Sequence, residues 1–183
     1  MIQIQKKVTI VVMFLLLAGN TFSQDWEKIL NQRLPEYGHR NWIIIADAAY
    51  PKQSAAGIET IVTGACQLEV LRKVLAKIDA STHIQPILML DFELNFVPGK
   101  NAPGVKNYRN ELKQIFGDRP LKVMPHEEII RKLDDASKLF NILLLKTNLT
   151  IPYTSVFIEL DCGYWNAEKE KELRDKIRYL RSI

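Results

Sequence analysis

Five consecutive apolar residues, Trp42-Ile43-Ile44-Ile45-Ala46, stand between the turn-forming stretch Gly38-His39-Arg40-Asn41 and Asp47. The run is too short for an ordinary helix and has no polar position that would face water from one side of a strand. A strand of this kind is buried on both faces, the signature of a parallel sheet covered by helices. Four more short runs follow: Pro86–Leu90, Leu121–Met124, Ile142–Leu145 and Val156–Leu160. Between them apolar residues recur at helical spacing. Trp26, Ile29, Leu30 and Leu34 mark a helix closed by Pro35, and Leu68, Leu71, Val74, Leu75 and Ile78 mark a second. Leu112, Ile115 and Phe116 predict a third, ended by Gly117, and His126–Phe140 a fourth with Ile129, Ile130, Leu133 and Phe140 on one side. A charged helix over 166–181 closes the chain, and 97–107, with two Gly and two Pro, reads as loop.

Strands alternating with helices predict an α/β fold: a single domain with a mostly parallel sheet flanked by helices. No break in composition and no repeat divides the chain. Its 25 basic and 21 acidic residues give +4, but Lys6 and Lys7 lie in a segment with no acid before Asp25. Without that segment the balance is 23 against 21, and no Lys/Arg run interleaved with aromatics is present. Nucleic acid is therefore not an expected partner.

Residues 1–23 have the layout of a secretory signal: Lys6-Lys7, the apolar run Val8–Ala18, then Thr21 and Ser23 three and one residues before a cut ahead of Gln24. The apolar run is shorter than the ~20 residues that span a bilayer. The expected product is exported, periplasmic in a Gram-negative host, and off the membrane once cleaved. Cys66 and Cys162 show no redox spacing, and both a disulfide and two free thiols remain open.

Phosphate loops, dinucleotide fingerprints, zinc-protease helices and nucleophile elbows are all missing from the sequence. Three features carry polar chemistry. His39 precedes the Trp42–Ala46 strand and Asp47 follows it, at the carboxyl end where α/β sheets bind ligands. His126 stands after a short strand at a helix start. Tyr153 and Ser155 precede the last strand on a Pro-fixed turn. Each alone also fits a turn, cap or packing residue.

Together and in this order they resemble the D-ribose pyranase / L-fucose mutarotase (RbsD/FucU) family. GHRNWIIIADAAYP, residues 38–51, is similar to that family's first motif, and the Pro-then-apolar stretch at 83–90 is closer to the fucose branch. The resemblance spans roughly residues 28–161 within an expected domain of 24–183. It implies an RbsD-like fold, a homo-oligomeric ring with sites near subunit interfaces, and a fucose- or ribose-like monosaccharide as substrate. It assigns His39 as the catalytic histidine and Asp47, His126 and Tyr153 as sugar contacts. The family carries Asn two residues after this Tyr, where this chain has Ser155 as its substrate-binding candidate. Ser155→Asn is accordingly expected to restore an amide contact. The export signal and the helix after Gly163 are further departures.

The implied function is an isomerase interconverting anomers or ring forms of a free monosaccharide by general acid/base ring opening. No cofactor, metal or covalent intermediate is needed, and histidine exchanges protons in both directions near neutral pH. The alternatives are an exported, non-catalytic monosaccharide-binding protein and a domain whose cleft serves a protein partner.

Overall fold

The computed structural model describes residues 25–181. The expected signal segment, residues 1–23, lies outside the described residues. Helix α1 (Trp26–Arg33) begins where the Asp25 side chain accepts the Lys28 backbone N–H at 3.1 Å, a helix N-cap. It stops before Pro35, which has no N–H to continue it. Strand β1 (Trp42–Ala46) is buried at all five positions, as its composition predicts.

Strand β2 (Ile58–Val62) was not anticipated. Its IETIV sequence mixes polar and apolar residues because it is an edge strand, exposed at Val62. It starts beside Gly57, where a Cβ would stand 2.6 Å from the Ser137 carbonyl oxygen, so only glycine permits this approach. Helix α2 (Gln67–Asp79) buries Leu68, Leu71, Val74, Leu75 and Ile78, the anticipated face.

Strand β3 (Ile84–Asp91) leads into an unanticipated 3-10 turn, Phe92–Phe96. Helix α3 (Val105–Phe116) starts inside the stretch read as loop, because Gly104 at φ 90° turns the chain and lets Val105 and Tyr108 reach the core. Strand β4 (Leu121–Met124) is followed by α4 (His126–Ala136). This helix ends four residues earlier than its apolar pattern predicted, and Ser137–Phe140 turn to reach β5 (Ile142–Lys146). Strand β6 (Val156–Cys162) and helix α5 (Ala167–Leu180) complete the chain. Helix α5 buries no residue.

The sheet order is β2-β5-β1-β6-β3-β4. Strand β6 runs antiparallel to both β1 and β3, and the other three pairings are parallel. The fold is thus α/β with a mostly parallel six-stranded sheet. Along β1, Ile43 and Ile45 face the core under α1, α2 and α3, whereas Trp42, Ile44 and Ala46 pack with Ile129 and Leu133 of α4. This alternation across a strand covered on both faces accounts for its lack of polar residues. Each fully buried side chain of this size contributes about 1.5–3 kcal/mol of transfer free energy.

Strand polarity has one consequence for function. Because β6 is reversed, its amino end shares one sheet edge with the carboxyl ends of β1, β3, β4 and β5: Ala46 stands opposite Lys146, Ile45 and Leu90 opposite Val156, and Asp91 opposite Met124. No described helix is long and apolar enough to cross a membrane. Cys66 and Cys162 are both free.

Candidate functional site

At that sheet edge the chain collects polar residues from four separate segments. Asp47 follows β1, Asp91 ends β3, His126 opens α4 after β4, and Tyr153 and Ser155 precede β6. Asp47, Tyr50, Gln53, His126, Glu127 and Tyr153 line an open cleft of about 420 Å³. That is within the ~300–1,000 Å³ of small-molecule sites.

Asp47 is held by its own loop, its Oδ1 accepting the Ala49 N–H at 2.8 Å. Its Oδ2 lies 3.4 Å from the Ser155 hydroxyl, which donates to it from a position only 2% exposed. Ser155 therefore stands behind Asp47 rather than among the cleft-lining residues. Tyr153 takes φ 57°, the left-handed region a tyrosine seldom occupies, at a cost of order 1–3 kcal/mol. This turn leaves its ring partly exposed and edge-on to the His126 ring, with centroids 5.6 Å apart. The Tyr50 phenol is pushed well above its usual range, first by burial and then by the carboxylates of Asp91, Asp134 and Asp47. It stays protonated, and so a hydrogen-bond donor, through neutral pH.

A buried polar network fixes the Tyr153 turn. The Thr154 carbonyl accepts hydrogen bonds from the Gln67 side-chain amide and from the Tyr108 hydroxyl, the latter at 2.7 Å. The Thr154 hydroxyl donates to the Ile151 carbonyl at 2.6 Å. The Thr147 hydroxyl lies 2.9 Å from the Ala46 carbonyl and 3.1 Å from the Gln67 amide oxygen, tying the ends of β1 and β5 to the same cluster. Satisfied buried networks of this kind rigidify the backbone they hold.

Two further carboxylates meet His126. Glu93 accepts its backbone N–H at 3.0 and 3.2 Å, placing a negative charge at the amino end of α4. Asp91, 1% exposed, brings its Oδ1 to 3.1 Å from the His126 Nδ1. Neither atom has any other partner, and the contact is close without being an aligned hydrogen bond. Burial pushes the Asp91 carboxyl up to about 6, against the opposing pull of His126 and with smaller upward contributions from Glu93 and Asp47.

His39 is not in this cleft. It precedes β1, at the other end of the sheet, where its Nδ1 lies 2.8 Å from Asp161 Oδ1 at the far end of β6 and its side chain is 61% exposed. Strand β1 alone separates the two sheet edges by about 13 Å at ~3.3 Å per residue step.

The structure thus brings Asp47, His126, Tyr153 and Ser155 together and leaves His39 apart. Sequence reasoning missed Asp91, Gln67, Tyr108 and Thr147. Asp91 carried the same signal as Asp47, an acid at the carboxyl end of an apolar run. The other three had none, since their partners lie far away in the chain. Among the described residues no three His, Cys, Asp or Glu side chains converge as a metal site.

No family model matches the sequence, and no curated protein does. Solved structures do resemble the fold. RbsD of Bacillus subtilis, complexed with D-ribose, superposes with a TM-score of 0.51 at 16% identity, covering 72% of this chain and 90% of that one. The fucose mutarotase of Streptococcus pneumoniae, in complex with L-fucose, gives a TM-score of 0.50 at 20% identity, covering 78% and 97%. The six-stranded sheet and the helices on its two faces make this chain an α/β domain of the RbsD/FucU-like fold.

Proposed function

We propose that this protein is an exported sugar isomerase of the mutarotase type, interconverting anomers or ring forms of a free monosaccharide. The observation that carries the reading is the convergence of Asp47, His126 and Tyr153 from three distant segments on one open cleft, on the fold of a ribose-binding and a fucose-binding protein.

Ring opening requires a base that takes the proton of the anomeric hydroxyl and an acid that protonates the ring oxygen. The O–H electron pair becomes the carbonyl π bond, and the C1–O5 pair leaves with oxygen. Closure on the other carbonyl face reverses both transfers, so no net proton is gained or lost. In this scheme Asp47 accepts sugar hydroxyls in charge-assisted hydrogen bonds. Tyr153 donates from its hydroxyl, and Tyr50, kept protonated, adds a second phenolic donor.

His39, the resemblance's catalytic histidine, reaches such a sugar only from a second copy of the chain, since its own cleft lies at the other sheet edge. This agrees with the homo-oligomeric ring that the resemblance implies.

A second reading, a monosaccharide-binding protein without catalysis, is favoured by one observation: the His39 imidazole is already engaged by Asp161. Anomer exchange followed by NMR on fucose, ribose, galactose and glucose separates the two. Exchange above the buffer rate supports the isomerase, and ligand-dependent protein shifts without exchange support the binder. Neither effect on any sugar would overturn both.

A further inference from the structure

We propose that His126 is a second proton carrier of the reaction and that Asp91 is its positioning residue, holding the imidazole with Nδ1 toward the carboxylate and Nε2 toward the sugar. The inference rests on the isomerase reading above and adds to it the group that complements His39.

Ring opening needs an acid and a base at two different oxygens, and one histidine serves only one of them at a time. Within the cleft, His126 is the remaining group suited to exchange protons near neutral pH. Its Nδ1 is buried and meets Asp91 Oδ1 at 3.1 Å, and neither atom has another partner. The rest of the ring is partly exposed and lines the cleft. Nδ1–H directed at the carboxylate leaves Nε2 with its lone pair, the form that accepts a sugar hydroxyl proton. The imidazolium formed then gives a proton back from Nε2 when the ring closes. A buried carboxylate beside the imidazole favours that charged form.

Asp91 has no role as a sugar contact, because it lies behind His126 and almost wholly buried. Nor is it satisfied as a structural ion pair. In the proposed cycle Nδ1 carries its proton toward Oδ1 in the neutral ring and in the imidazolium alike, so the carboxylate holds the ring through both proton transfers. Burial raises the Asp91 pKa, and the His126 ring beside it pulls the other way. The other groups facing His126 are Glu93, bound to its backbone N–H, Asp47 and Glu127 on the cleft wall, and the phenols of Tyr50 and Tyr153. None of these is placed on Nδ1.

The test uses the mature protein and its Asp91→Asn variant, with anomer exchange on the best sugar measured from pH 4.5 to 8.5. The expected result is a fall in kcat of about tenfold or more, KM within about twofold, and an altered acid limb of the profile, since the ring loses its carboxylate. Unchanged kcat and acid limb in a folded variant would overturn the role. A readout independent of catalysis is the ¹⁵N NMR tautomer of His126 in the unmodified protein at pH 8. The Nδ1–H form supports the pairing and the Nε2–H form overturns it, even if Asp91→Asn fails to fold. A protein that exchanges no sugar would overturn the proposed function together with this role. Exchange that Asp91→Asn leaves unchanged would overturn the role alone.

Discussion

His39 and Asp47, eight residues apart in sequence, stand at opposite ends of β1, one against Asp161 and the other against Ser155. A strand cannot fold back on itself within five residues, so no motion of the loops alone unites them. A reaction using both draws them from two copies of the chain. In such a head-to-tail arrangement one subunit's β1 entrance faces the next subunit's cleft.

Mixed assembly tests that arrangement. His39→Ala is expected to slow exchange by ~10²–10⁴-fold. Because the side chain is largely exposed, it should barely change the melting temperature. His126→Ala should also be slow. When the two variants are unfolded together and reassembled, roughly a quarter of the sites regain both native residues under random mixing of a shared site. Recovery of exchange well above either variant confirms sharing. No recovery, with assembly verified by sedimentation, places both histidines within one subunit's chemistry or outside it.

Asp91 makes stability depend on pH with a definite sign. Its carboxyl titrates at about 6 in the folded chain and near 3.8 in the unfolded one. Between those values the folded state holds the extra proton, so stability falls as pH rises from about 4 to 6 and is level above. Asp91→Asn removes that penalty. It should raise the unfolding free energy at pH 7, by at most about 3 kcal/mol on the scale of 1.36 kcal/mol per pK unit. The gain should vanish at pH 4. Urea titrations at the two pH values check it. A variant less stable at pH 7 would show that ionised Asp91 is satisfied by its surroundings.

Ser155→Asn behaves differently from the expectation set by resemblance alone. An added amide is worth about 1 kcal/mol if it makes one net hydrogen bond. Ser155, however, is 2% exposed and packs behind Asp47. Enlarging a filled site costs about 1–3 kcal/mol, so the cost outweighs the gain. The variant is expected to melt several degrees lower and to bind sugar no better than the parent. Tighter binding in calorimetry, with an unchanged melting temperature, would show that the loop opens to admit the amide.

Tyr108→Phe probes the support under Tyr153. It removes the hydroxyl that donates to the Thr154 carbonyl at 2.7 Å and that accepts from Gln67. A loss of about 1–3 kcal/mol is expected from the buried Gln67 donor left short of a partner. Tyr153 lies next to Thr154 in its strained turn, so KM should rise more than kcat falls. Equal changes in both, or none, would detach the network from the cleft.

Much of this protein was determined by its sequence alone. Apolar runs such as Trp42–Ala46 and Ile142–Leu145 could satisfy their side chains only between two covered faces, and helical spacing in α2 identified the buried stripe on one of them. Strand β2 escaped because an edge strand keeps polar residues. The start of α3 escaped because the fold, not local propensity, draws Val105 and Tyr108 inward past Gly104. Asp47, His126, Tyr153 and Ser155 were each visible next to an element end, where backbone groups and ligands meet.

Tertiary structure alone decided which ends coincide. The reversal of β6 between β1 and β3 carries Tyr153 and Ser155 to the edge that holds Asp47, and puts Asp161 beside His39 at the other. Strand order and direction depend on pairings between segments as much as 117 residues apart, such as Trp42 with Glu159, and no local pattern of side chains encodes them. The pairing of Asp91 with His126 arises in the same way, from the parallel register that sets Asp91 opposite Met124, two residues before the histidine.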